Sequence, residues 1–274
     1  MFHRFTKGCL LVGLAVTLCP AGHTQSTHNP VDSDARMPAR TGILGRGDAA
    51  ALEEVVEHQN AVGAAPWVGI QGKGFLTYPS ADLGPFNATL SILHGDNFRL
   101  DVETPQGIRS TRIHGSHGAI QDADAKYQQI QPETATQGLV QFHLLRLPSF
   151  PGPSLSLIDR GTTQIQGKSL HLITIESPLP KDAYPIGLAH STTATDLYFD
   201  PSTHLLVKSA TSVMVTGTHG QDFLRVISYS DYQKVGGTMI PFHYEESLSG
   251  QLQWTLQLTQ ASYETPLQPS DFIF

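Results

Sequence analysis

The chain carries 24 acidic against 17 basic side chains over 274 residues, a formal charge of −7, and no basic cluster interrupts it. Nucleic acid and bare anionic membrane are therefore poor partners. Its only cysteines are Cys9 and Cys19, so the rest of the chain has no disulfide, thiol nucleophile or thiolate metal ligand. Plentiful glycine and proline (25 and 18) fit many short strands joined by tight turns.

Residues 1–25 read as a secretory leader. Arg4 and Lys7 supply the positive start, residues 9–18 a short apolar core, and Pro20-Ala21-Gly22 the region after it. That core falls well short of the ~20 apolar residues of a membrane helix. Lipid anchoring through Cys19 is disfavoured, because bulky Leu18 stands where a small residue should precede a lipidated cysteine. The expectation is a periplasmic or secreted protein, with 15 basic against 24 acidic residues once Arg4 and Lys7 are removed. About 250 residues then remain, enough to bury about three quarters of the unfolded surface. Residues 26–47 are Ser, Thr, Asn, Pro and Arg without apolar periodicity and read as a flexible tether; a folded region is expected over 48–274.

Residues 48–60 form the one convincing helix. Asp48 is placed to cap it, and Ala49, Leu52, Val55 and Val56 recur at helical spacing. Glu53, Glu54 and Glu57 fall opposite and read as a solvated face rather than an acid/base pair. Gly63 and Pro66 end the helix. Residues 67–78 then alternate as a strand, with Val68, Ile70, Leu76 and Tyr78 on one side. Gly69, Gly72 and Gly74 permit sharp coiling; their spacing is not the dinucleotide fingerprint.

A meander follows: strands over 88–94, 98–103, 108–114 and 119–122, joined by short turns and hence antiparallel neighbours. Leu90, Ile92, Phe98, Leu100 and Val102 point to one face. His114-Gly115-Ser116-His117-Gly118 invites a nucleophile reading, but it lacks the strand-to-helix setting of G-x-S-x-G and has the length of a hairpin loop. Metal binding by His114 and His117 would need partners that spacing does not supply. Leu139, Phe142, Leu144, Leu145 and Leu147 break the strand pattern and form a short apolar segment, helical or irregular, that reads as a lid or a plug over the sheet.

The sheet resumes at 155–158, 164–166 and 170–176, and the prolines of 177–191 mark a long loop. Residues 195–241 read as two hairpins: Leu197-Tyr198-Phe199, a turn at Asp200-Pro201-Ser202-Thr203 and Leu205 to Lys208; then Leu224 to Tyr229, Gly236-Gly237 and Met239 to Tyr244. Leu252, Trp254, Leu256 and Leu258 alternate as a last half-buried strand, and an apolar C-terminus is expected to pack on the rim. The fold class is mainly β (α+β), about ten or eleven antiparallel strands curved into a half-barrel with one N-terminal helix and a lid.

D-L-Y-F-D-P followed by H-L-L-V-K, then Y-S-D-Y, V-G-G-T-M-I-P-F, resembles the periplasmic outer-membrane lipoprotein carrier and receptor superfamily (LolA/LolB-like). The likeness is clearest over 195–274 and extends back to Asp48. It implies a curved antiparallel half-barrel that holds acyl chains against inserted helices. The long loop at 177–191 and the long tether depart from that pattern and leave the lipoprotein-transfer role open.

The inward face carries apolar residues and few convergent polar groups, the character of a site for a lipid tail, which needs area more than directed bonds. Its lining and lid are expected to be Val68, Ile70, Leu90, Ile92, Leu100, Leu139, Phe142, Leu145, Trp254 and Leu256. The leading expectation is an exported carrier or sensor, not an enzyme, for a lipid or an acylated protein, with inner- or outer-membrane envelope proteins as further partners and no cofactor or metal. An envelope scaffold with a closed core is the alternative. A hydrolase using Ser116 lacks an assignable base and orienting group.

Overall fold

The computed structural model describes residues 48–63, 69–79, 85–93, 97–115, 117–130, 135, 156–178, 192–214, 222–263 and 266–274. The leader, the tether, Val68, Ser116, residues 139–147 and most of the 177–191 loop lie outside them.

Helix α1 (Ala49–Val62) precedes thirteen strands: β1 (Gly69–Thr77), β2 (Phe86–Leu93), β3 (Asn97–Thr104), β4 (Gly107–His114), β5 (His117–Gln121), β6 (Tyr127–Ile130), β7 (Ser156–Ile165), β8 (Lys168–Pro178), β9 (Thr192–Phe199), β10 (Leu206–Met214), β11 (Asp222–Val235), β12 (Thr238–Leu248) and β13 (Gln251–Ser262). All belong to one sheet, ordered β6-β5-β4-β3-β2-β1-β13-β12-β11-β10-β9-β8-β7. From β1 the chain steps outward to one edge at β6; β7 forms the other edge, and the chain steps back until β13 pairs with β1. Every neighbour is antiparallel, and the edges do not meet, so the sheet is an open, curved half-barrel.

Turn chemistry sets the register. Asp200 Oδ1 accepts from the amides of Ser202 and Thr203 at 2.8 and 3.2 Å, which fixes the β9–β10 turn. Gln166-Gly167, Gly236-Gly237 and Ser249-Gly250 have positive φ at both positions, the requirement of two-residue hairpin turns whose twist matches the strands they join. At Gly74 the backbone of β13 comes so close that a Cβ would lie 1.9 Å from the Gln257 carbonyl oxygen. The β1–β13 register shifts at that point, so this glycine supplies the bend expected of it.

One apolar cluster runs across the covered face, from Ile70, Leu76 and Phe98 through Leu256 and Trp254 to Ile227, Leu197 and Ile173. Ala51 and Val55 of α1 belong to it, and the helix packs against β7 and β12.

Thirteen strands stand where ten or eleven were expected. β6 (Y-Q-Q-I) leaves three of its four residues exposed, so backbone pairing with β5 makes it a strand without an apolar stripe to announce it. In β13, Leu252 is 44% exposed although it continues the alternation of Trp254. A register shift against β12 falls between Glu246 and Ser247 and turns Leu252 outward. The C-terminal segment, instead of covering the rim, packs on β3 and β4 through the side chains that point away from the core. Arg99 and Arg112 donate to the carbonyls of Asp271 and Ile273 at 3.0 and 2.7 Å, and Phe272 is buried.

Candidate functional site

The candidate site is the concave face. Of the ten side chains expected to line or close it, Ile70, Leu90, Ile92, Leu100, Trp254 and Leu256 lie in the single core cluster, each 4% exposed or less. Val68, Leu139, Phe142 and Leu145 lie outside the described residues. Strand alternation brings the six together: Ile70, Leu90, Ile92 and Leu100 occupy alternate positions of β1, β2 and β3, and the pairs Ile70–Ile92 and Leu90–Leu100 stand directly opposite. Ala135, the described residue at the start of the expected lid segment, is buried against the same cluster.

Helix α1 meets this face differently from the sequence expectation. Asp48 Oδ1 accepts from the Ala50 amide at 3.3 Å, and Gly63 caps the end. The inward residues, however, are Ala51, Glu54, Val55, His58 and Val62, while Val56 is 50% exposed. A carboxylate goes inside because the sheet supplies partners for both of its oxygens. Glu54 Oε2 is 2.8 Å from His171 Nδ1 on β8, and Oε1 is 3.0 Å from His204 Nδ1 in the β9–β10 turn. His171 Nε2 lies 2.9 Å from Asp159 Oδ1 on β7. One turn along α1, His58 Nδ1 donates to the His204 carbonyl oxygen at 2.7 Å, and its ring packs on Phe199 with centroids 5.1 Å apart. These groups fasten the helix to β7, β8, β9 and the β9–β10 turn. Among the described residues, none of the His and acidic side chains are arranged to hold a metal ion.

A second polar group sits within the apolar face itself. Arg225 of β11 and Glu246 of β12 are 3% and 2% exposed; Arg225 Nε donates to Glu246 Oε2 at 2.7 Å and Nη2 is 2.6 Å from the same oxygen. Burial raises the Glu246 pKa, although the Arg225 charge and hydrogen bonds from Arg225 and Trp254 oppose the shift. Nearby, Ser209 and Tyr229 share a 2.7 Å hydrogen bond, and burial drives the phenols of Tyr229 and Tyr244 well above their ordinary range.

The sequence reading placed Glu54 on a solvated helix face, where the structure buries it, and did not single out His58, His171, His204, Arg225 or Glu246. Arg225 and Glu246 carried a signal nonetheless: each falls in step with buried aromatic and aliphatic residues, Ile227 and Tyr229 on β11, Phe242 and Tyr244 on β12. Of the string at 114–118, His114 ends β4 and His117 begins β5, and the two are paired; His114 Nδ1 lies 2.6 Å from Asn97 Oδ1, and Ser116 lies outside the described residues.

Comparison with known proteins finds no matching family model and no matching curated protein. Solved structures do match. A provisional outer membrane lipoprotein-sorting protein domain from Vibrio parahaemolyticus aligns over 81% of this chain and 97% of its own, with a TM-score of 0.51 and 10% identity. A LolA superfamily protein from Nitrosomonas europaea aligns over 82% and 97%, with a TM-score of 0.51 and 9% identity. A DUF1329 family protein from Desulfovibrio piger aligns over 83% and 98%, with a TM-score of 0.52 and 9% identity. At such identities the likeness speaks for the fold alone: the chain shares the architecture of these solved structures, in keeping with the curved half-barrel that the resemblance implied.

Proposed function

We propose that this protein is an exported, non-enzymatic carrier or sensor that binds a lipid tail, free or attached to a protein, against the concave face of the half-barrel. The observation that carries this reading is the face itself, a continuous apolar surface spanning almost every strand of an open sheet. Hydrocarbon binding needs such area, worth roughly 25 cal/mol for each Å² removed from water. Two of the structural relatives carry lipoprotein sorting or the LolA superfamily in their names, which agrees with it. No helix among the described residues is long and apolar enough to cross a membrane.

In this reading Ile70, Leu90, Ile92, Leu100, Trp254 and Leu256 line the site with Val68, and Leu139, Phe142 and Leu145 close it. Loading then exchanges lid contacts for ligand contacts, two apolar interactions of similar strength. Native mass spectrometry of the protein purified from its own envelope, followed by organic extraction, tests it. A stoichiometric acyl-containing adduct, lost on Phe142→Asp with Leu145→Asp, is the expected result. A clean ligand-free mass under gentle conditions would overturn the carrier reading in favour of an envelope scaffold.

A further inference from the structure

The concave face has a polar end whose donors are incompletely used. Arg225 points inward with Ile227 and Tyr229, two and four residues further along β11, both members of the core cluster. Its Nε and Nη2 converge on one oxygen of Glu246, but Nη1 is buried with no hydrogen-bond partner. Tyr78 follows the last residue of β1 and keeps the inward parity of Leu76. It is 3% exposed, its ring lies 5.9 Å from that of Phe86, and its hydroxyl is likewise buried without a partner.

The register sets the two on either side of Glu246, with Arg225 one repeat along β11, opposite Leu248. Thr77 pairs with Thr255, so Tyr78 stands beside Trp254, which pairs with Glu246 on β12. Ile227, two residues from Arg225, stands opposite Glu246 on β11. Tyr78 and Glu246 are thus two strand spacings apart, about 10 Å between backbones, and a concave surface tilts long side chains towards each other across such a gap. Burial holds the Tyr78 phenol far above its ordinary range, with the charge of Arg109 opposing and that of Glu246 adding to the shift, so this hydroxyl remains a neutral donor at any physiological pH. Arg109 faces inward too, since it pairs with buried Val102, and brings a second guanidinium close to the same end.

Buried donors almost always have partners, because leaving one unpaired forfeits the hydrogen bonds it made to water. Two orphaned donors that flank the Glu246 carboxylate from either side, one of them on a guanidinium, are what a site looks like when the acceptor comes from outside the chain. The surrounding wall (Phe86, Trp254, Leu256, Ile227) is apolar. The acceptor therefore arrives at the head of a hydrocarbon.

We infer that Arg225 Nη1 and the Tyr78 hydroxyl receive a carbonyl or carboxylate oxygen at the head of an alkyl chain, giving the concave face a defined polar end and the bound lipid a fixed direction. This inference rests on the lipid-binding reading above and adds to it the chemistry of the head. A free fatty acid and an ester-linked acyl chain both offer such an oxygen.

The test is displacement of a fluorescent apolar dye by laurate, methyl laurate and dodecane, from the wild-type protein and from Tyr78→Phe. The expected result is that both oxygenated ligands outcompete dodecane, and that Tyr78→Phe weakens them about tenfold, in line with one hydrogen bond to a strong acceptor, while dodecane is unaffected. The ligand-free variant should melt no lower than the wild type, since it only loses an unpaired hydroxyl. A lead of laurate over methyl laurate assigns the head to a carboxylate, and parity assigns it to the ester carbonyl. Equal binding of all three, unchanged in Tyr78→Phe, overturns the inference and leaves the lipid reading standing. Failure of all three to displace the dye overturns both.

Discussion

His171 stands between two carboxylates, with Nδ1 2.8 Å from Glu54 and Nε2 2.9 Å from Asp159. A neutral imidazole owns one N–H and can serve only one of them, whereas the imidazolium serves both. Burial opposes that charge, but the hydrogen bonds and charges of Glu54 and Asp159 outweigh it and raise the His171 pKa above 6.5. A group whose folded value is raised contributes stability that is fully present below its unfolded value and is lost as pH rises through the folded one. The melting temperature of the wild type should therefore decline as pH rises past the ordinary histidine range and through the raised His171 value. His171→Gln should melt lower at the acid end and show a shallower decline. An identical slope in the variant would mean that the proton on His171 does not contribute to the pH dependence of folding.

At the level of the element, α1 is pinned at both ends. The Asp48 amide donates to the Leu157 carbonyl oxygen of β7 at 3.1 Å. Gly63, at φ 92°, lies where a Cβ would come 2.6 Å from the Gly237 carbonyl oxygen in the β11–β12 turn. Backbone cannot yield there as a flexible side chain would, and an L-residue is strained at that φ. Gly63→Ala should cost about 1–3 kcal/mol, read by thermal unfolding, with faster amide exchange along α1 showing that the helix has lifted. Loss of stability with α1 exchange unchanged would place the damage in the β11–β12 turn. The same elements show what sequence could and could not reveal. Hairpins were legible because their turns are written in local chemistry, Asp200-Pro201 and Gly236-Gly237, and alternation then assigns the faces. The inward side of α1 was not, because Glu54 and His58 are turned in by partners 117 or more residues away, about which local periodicity says nothing. Arg225 and Glu246 differ: alternation puts each in step with buried neighbours, but neither strand names the partner that the other supplies.

Across the whole molecule, the strand order makes the first and last strands the seam of the sheet. β1 to β6 form one run and β7 to β13 the other, and among the described residues the β1–β13 ladder alone joins them in the sheet. The apolar cluster crosses that ladder without a break, through Leu76 and Leu256, which stand directly opposite. A concave face made in this way depends on pairing residues nearly two hundred positions apart, which is entropically the most expensive contact to form. Gly74 is its tightest point, with a Cβ due 1.9 Å from Gln257 oxygen and 2.7 Å from the Leu258 Cα. Both are backbone atoms, so the strands themselves must part to admit a side chain. Gly74→Ala should thus destabilise by well over the ~1 kcal/mol of an average substitution, although it adds a single methyl group. Urea unfolding in a Trp67→Phe background, where Trp254 is the one remaining tryptophan, followed together by its fluorescence and far-UV circular dichroism, distinguishes two outcomes. If the seam unites the two runs into one cooperative structure, both signals shift to lower urea and remain superimposed. If each run holds its own structure, Trp254 on β13 loses its buried signal first while most of the strand signal persists, and the concave face would have to be regarded as two half-sites rather than one.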